Sequence, residues 1–236
     1  MKKRYLALLS LSIVMLACEL GAVELKYRFL PGSVYEYEHT VKRSSRMAAY
    51  KTTSNQSPVT DTQKFSLRAI DFQNGSHIVD VVSQTGTYRR YIKENGALAG
   101  APGETGQAIP FLLTLPTIDW KVSDRHQVQQ TLMSGDSALP ATWNLMLKSV
   151  DTDKQMAEIL FAIVLKLPED RIRRKEFTLK GKAMFNYGKG VLQQAEWASS
   201  YRFVFSNREM AINRELWLFD HQETGSLKLV EAGSEP

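Results

Sequence analysis

The stretch that most constrains what this chain can fold into is Phe177 to Phe219, FTLKGKAMFNYGKGVLQQAEWASSYRFVFSNREMAINRELWLF. Its first run sets Phe177, Leu179, Ala183 and Phe185 on one side, with Thr178, Lys180 and Lys182 on the other. A period of two marks a strand with one buried and one wet face. Gly188-Lys189-Gly190 then predicts a turn. In the next run Val191, Ala195, Trp197, Tyr201, Phe203 and Phe205 share a parity, opposite Glu196, Ser200 and Arg202. Ser206-Asn207 turns the chain again, and Met210, Ile212, Leu216 and Leu218 mark a third strand. Three long strands in sequence predict an antiparallel meander.

The same alternation governs the chain upstream. Val23, Leu25, Tyr27 and Phe29 read as a first strand, and Leu30-Pro31-Gly32-Ser33 as a turn. Tyr35, Tyr37, His39 and Val41 then share one face. Residues Ser44 to Asp61 are polar and read as a surface loop or a frayed edge hairpin. Asn74-Gly75 is the strongest hairpin signal, and Glu94-Asn95-Gly96 predicts another. Trp143, Leu145 and Leu147 alternate into a turn at Val150 to Lys154, after which Ala157 to Leu167 returns as an apolar strand. Only Pro168 to Glu176 carries signals for a short helical turn. The expected fold is therefore all-β: one antiparallel, many-stranded domain over residues 23–236, an incomplete or closed barrel with little helix. The hairpins at Phe65–Val82 and Trp143–Leu165 are similar enough to suggest two halves, near 23–115 and 116–230.

The N-terminus speaks to compartment. Lys2-Lys3-Arg4 is a cationic n-region, Tyr5 to Ala17 an apolar run of signal-peptide length, and Leu20-Gly21-Ala22 a cleavage site. Residues 1–22 thus read as a signal peptide, and the protein as exported to the periplasm or cell envelope of a bacterium. Met15-Leu16-Ala17 before Cys18, the single cysteine, resembles the lipobox of bacterial lipoproteins. That resemblance implies a diacylated Cys18 and a lipid anchor, the only membrane attachment expected. Cleavage after Ala22 removes Cys18 instead. Both readings stand, and neither allows an intramolecular disulfide.

The opening of the mature chain, YRFLPGSVYEY from Tyr27 to Tyr37, resembles that of exported bacterial β-rich proteins of the periplasmic lipoprotein-carrier kind. The resemblance implies a curved sheet or barrel, and no enzyme class.

Composition removes several partners. A chain 43% hydrophobic and 23% charged is an ordinary globular one. Without residues 1–22 the basic count falls from 30 to 27 and the acidic from 25 to 24, a net +3. That is too mild and too mixed a charge for a nucleic-acid partner. His39, His77, His126 and His221 are scattered without metal-ligand spacing, so no metal is expected. No phosphate loop, dinucleotide fingerprint or nucleophile elbow occurs, so neither a cofactor nor a catalytic residue is assigned. Asp119, Asp124, Arg125 and His126 form the densest polar cluster, with a spacing that fits a β-turn as well as an acid–base pair. The basic run Arg171, Arg173, Arg174 and Lys175 has Glu169, Asp170 and Glu176 beside it, which suits a solvated, internally paired surface. Its other use is contact with anionic headgroups or an acidic partner.

What remains is apolar. Ile109 to Leu115, IPFLLTL, is either a buried segment or the lip of a hydrophobic site. In a curved sheet whose inner face stays open, Trp197, Tyr201 and Phe203 would line a cavity, with Phe111, Leu112 and Leu113 as its lip. The expected function is a non-enzymatic envelope protein that binds or carries an apolar or lipidic ligand. The alternative is an envelope interaction or structural protein that contacts another protein or a polysaccharide.

Overall fold

The computed structural model describes residues 22–49, 52–99, 112–134, 137–165, 174–206 and 216–234; within the strands, the side chains of 49, 52, 130–134, 137–140, 165, 174–176, 203–206, 216–217 and 234 are not described. The strands are β1 (Val23–Glu24), β2 (Ser33–Ala49), β3 (Thr52–Asn55), β4 (Val59–Gln73), β5 (Ser76–Ser83), β6 (Gly86–Lys93), β7 (Leu98–Ala99) and β8 (Asp119–Trp120). They continue with β9 (Arg125–Ser134), β10 (Ser137–Asp151), β11 (Met156–Leu165), β12 (Arg174–Asn186), β13 (Val191–Ser206) and β14 (Leu216–Ser234). No helix occurs among the described residues. Twelve strands form one antiparallel sheet in the order β7-β6-β5-β4-β2-β14-β13-β12-β11-β10-β9, with β3 folded back on β2. The sheet is not closed into a barrel. The fold is the all-β, antiparallel, incomplete form that the alternation predicts.

Two meanders meet in the middle of this sheet. One runs β2, β4, β5, β6, β7 and the other β9 to β14, and the first long strand pairs with the last from Ala48↔Leu218 to Ser33↔Ser234. The predicted meander of residues 177–219 is β12, β13 and β14, although Met210 and Ile212 lie outside the described residues. Asn74 and Gly75 both take positive φ, 51° and 73°, as the tight turn between β4 and β5 requires. A bulge between β12 and β13 lets both Val191 and Leu192 face the core, after which the predicted parity of Ala195 and Trp197 holds.

One face of the sheet is wet. It carries cross-strand ion pairs such as Arg89–Asp80, Lys148–Glu158, Lys182–Glu196 and Arg202–Asp220. The inner face is apolar, with Tyr35, Tyr37, Phe65, Leu67, Val81, Leu145, Leu147, Ile159, Phe185 and Ala195 all buried. Two extended segments cover it in place of a helix layer. Leu25, Tyr27 and Phe29 come from one and Leu112, Leu113, Leu115 and Trp120 from the other, and the segments are tied together by β1–β8 pairing. We refer to the two together as the plug.

The plug corrects the first predicted strand. Residues 25–30 alternate as a strand does, yet they pair with no neighbour in a sheet. Their backbone bonds to loops: Tyr27 N–H donates to Glu94 O (2.6 Å) and Arg28 N–H to Gly190 O (2.8 Å). The Nε2–H of His77 donates to Tyr27 O (3.0 Å). Tyr27 stacks on Phe29 and meets Phe185 edge-on, and Phe29 meets Tyr35 in the same way. Burial pushes the hydroxyls of Tyr27 and Tyr37 far above the usual phenol range.

Two further expectations are settled. Of the two readings of the polar stretch 44–61, the hairpin holds: β2 runs to Ala49, β3 returns along it, and β4 begins at Val59. It reads as loop because these strand ends project beyond the core and keep both faces polar. Arg174 to Glu176 begin β12 and are no helical turn, while 168–173 lie outside the described residues. Because Leu113 is fully buried in the plug, Leu113→Ala is expected to cost about 2–5 kcal/mol, as core truncations do. Urea unfolding of both proteins measures it; a loss below about 1 kcal/mol would show that the plug is loosely seated.

Candidate functional site: the far end of the inner face

The long strands β2, β12, β13 and β14 extend past the plug, and their inner parity continues there with different chemistry. Register sets the rows. Gly181, Trp197, Gly225 and Val41 stand side by side on β12, β13, β14 and β2. The next row outward is Leu179, Ser199, Glu223 and Arg43, and the one after is Phe177, Tyr201, His221 and Ser45. Phe219 and Met47 follow. Phe177, Leu179, Tyr201 and Phe219 are half-buried, and Met47 is exposed.

Trp197 anchors this surface. It is 7% exposed and stacks on His39, ring centroids 5.5 Å apart. Its indole lies over Gly225 so closely that a Cβ there would overlap the ring, and a Cβ on Gly181 would meet Phe161 and the Glu196 carbonyl. Only glycine admits so flat a tryptophan. The indole N–H donates to Glu223 Oε1 at 3.5 Å, while Glu223 Oε2 takes the Nε–H of Arg43 at 2.9 Å. The Glu223 side chain is 23% exposed and that of Arg43 48%, so this pair is only partly desolvated. One row outward, Ser45 Oγ and His221 Nδ1 are hydrogen-bonded at 2.7 Å, and His221 stacks on Phe219. Phe177 and Tyr201 pack at 6.5 Å between centroids.

His39 is the group whose charge this site controls. Burial lowers its pKa and Arg43 pushes the same way, against the pull of Glu223 and Asp61. The neutral ring is therefore favoured in the folded state.

The structure brings Trp197 and Tyr201 together on one surface. The backbone of Phe203 continues it, opposite Phe219, with its side chain outside the described set. Leu112 and Leu113 lie elsewhere. Leu113 sits in the plug by Tyr27, which packs on Phe185, whereas Tyr201 pairs with Phe177, eight positions along the same strand. At about 3.3 Å per residue that is about 26 Å away. Phe111 and Cys18 fall outside the described residues. His39, Arg43, Ser45, His221 and Glu223 carry the polar chemistry here, and extending the parity of Tyr35, Tyr37 and Val41 by two more steps points to Arg43 and Ser45.

The predicted polar cluster is not assembled into a site. Asp124 Oδ2 accepts the Lys121 N–H (2.9 Å) and closes a turn. Asp119 lines a groove of about 540 Å³ with Glu24, Lys26 and Glu94, while Arg125 and His126 line another of about 620 Å³ with Asn144 and Met146. Among the described residues, no group of three His, Cys, Asp or Glu is placed to hold a metal.

Among solved structures, the chain is similar to one of lipid–protein interactions in lipovitellin, at 10% identity and a TM-score of 0.45. The match covers 89% of this chain and 26% of the other, so this chain spans about a quarter of its length. No family model and no curated protein matches the sequence.

Two measurements check this geometry. Gly225→Ala is expected to displace the Trp197 indole at a cost of about 1–3 kcal/mol, with loss of near-ultraviolet tryptophan dichroism. Adding Trp197→Phe should recover part of the loss, and strictly additive changes would contradict the contact. For His39, a lowered folded-state pKa means that the folded protein binds fewer protons than the unfolded chain. Stability is then complete above the ordinary histidine value of about 6.5 and declines as pH falls below it. Between about pH 7.5 and about pH 5 the wild type should lose more thermal stability than His39→Gln, whereas parallel profiles would exclude the assignment.

Proposed function

We propose that this protein is an exported, non-enzymatic binding protein that holds an apolar or lipidic molecule on the far end of the sheet's inner face. The observation that carries the reading is the aromatic surface of Phe177, Tyr201 and Phe219, which continues the core's inner parity past the buried Trp197 but stays half-buried. Side chains of this kind are placed inside a sheet to meet apolar surface, and beyond Trp197 the described residues of the plug do not supply it.

The compartment rests on Lys2-Lys3-Arg4, the apolar run and the cleavage site, and the anchor on Cys18; all but Ala22 lie outside the described residues. The mass of the mature N-terminal peptide from the native host separates a chain that starts at Val23 from one that starts at a lipidated Cys18.

Binding is tested with N-phenyl-1-naphthylamine, an uncharged probe that brightens in apolar surroundings. Saturable binding is expected to the mature chain. The double change Phe177→Ser and Tyr201→Ser should weaken it about tenfold, or about 1.4 kcal/mol, with little change in melting temperature. A probe that does not bind, or that binds the variant equally well, counts against this surface as the site.

A further inference from the structure

The far end of the inner face is divided from side to side, and the division specifies more than an apolar ligand. In the two rows beyond Trp197 the inner side chains along β12 and β13 are Phe177, Leu179, Tyr201 and the small Ser199. In the same two rows on β14 and β2 they are Glu223, His221, Arg43 and Ser45, with Phe219 and Met47 one row further out; on β4 the exposed Val59 stands opposite Arg43, with Asp61 and Gln63 one and two rows back. The polar residues carry hydrogen-bonding capacity that their mutual contacts leave unused. Arg43 engages Glu223 through Nε, which leaves both terminal guanidinium nitrogens of a half-exposed side chain for another acceptor. The Ser45–His221 bond occupies Nδ1 and directs the other ring nitrogen away from it.

From this juxtaposition, and resting on the binding reading above, we propose that the ligand is a single-chain amphiphile whose head presents oxyanion acceptors, such as the phosphate of a lysolipid. The acyl chain lies over Phe177, Leu179 and Tyr201, and the head lies on β14–β2 within reach of Arg43 and His221. A guanidinium matches a phosphate through two parallel N–H donors, which a lysine ammonium cannot reproduce. Glu223 holds the guanidinium in place through Nε and offsets part of its charge. That arrangement favours a head with acceptors and little net charge over a free inorganic anion. Adjacent strands lie about 4.8 Å apart, so Arg43 on β2 and Phe177 on β12 are about 14 Å apart across the sheet. That is room for a head at one side and a chain along the other.

The test uses the mature chain with three probes: N-phenyl-1-naphthylamine, monoacyl phosphatidylcholine below its micellar concentration, and inorganic phosphate. The lysolipid is expected to displace the fluorescent probe, and phosphate at the same concentration is not. Arg43→Lys, which keeps the charge opposite Glu223, should weaken lysolipid binding five- to tenfold and leave the fluorescent probe's affinity unchanged. Arg43→Met serves as the second variant, and the melting temperatures of both report folding. Equal lysolipid affinity in wild type and both variants would overturn the proposal while the apolar-binding reading stood. Displacement by phosphate alone would overturn it too, because the site would then read a free anion. If the fluorescent probe fails to bind the wild type, the binding reading itself falls, and this proposal with it.

Discussion

Everything in this fold depends on the pairing of its first long strand with its last. β2 and β14 run side by side from Ser33↔Ser234 to Ala48↔Leu218, with one register shift near Leu229. Without that ladder the chain is two separate meanders, each with an apolar face too narrow to enclose anything. The ladder joins Ser33 to Ser234 and closes a loop over most of the chain, and loop entropy grows only slowly with length. Its cost falls chiefly on folding rate, since contacts so distant in sequence form late. A two-residue slip would preserve which face each side chain takes. It would also set Trp197's neighbour Gly225 against a different residue of β2 and part Arg43 from Glu223. Register is therefore pinned by specific contacts as well as by hydrophobic alternation.

The second dependence is on what covers the inner face. A twelve-stranded sheet that does not close must shield its apolar side with something, and in many folds helices do so. Here two extended segments serve, and extended chain has backbone groups that need partners. The structure finds them at loops, with Glu94 and Gly190 accepting from Tyr27 and Arg28, and Asn95 accepting from Leu115. This ties the plug to the turn that follows β6 and to the β12–β13 turn. It fixes the plug at one end of the sheet, and the far end takes its character from what lies beyond the plug's reach.

The sequence carried the fold well because its alternation is strong wherever one face is buried and the other wet. It misled in one place and left a second undecided, for the same reason. Leu25, Tyr27 and Phe29 alternate because every second residue is buried, and alternation reports burial whether or not a neighbouring strand supplies the hydrogen bonds. Residues 44–61 lack alternation because neither face of those strand ends meets an extensive core, so their β-structure is written only in pairing. The aromatic part of the candidate site was legible, since Trp197 and Tyr201 share the parity of Ala195. The polar part was hidden. Arg43 and Glu223 stand on different strands 180 positions apart, and only the β2–β14 register brings them within 2.9 Å.

That register also explains why the chemistry changes where it does. Trp197 spans the boundary, and it can lie flat only because β14 presents Gly225 beneath it. Laid flat, the indole seals the buried core on one side, stacks on His39, and offers its N–H to Glu223 on the other. A larger residue at 225 would tilt the ring, open the core to water, and take the donor from the carboxylate that steadies Arg43. One glycine on the last strand thus couples the packing of the core to the orientation of the guanidinium. In this fold the stability of the closed end and the chemistry of the open end are not independent.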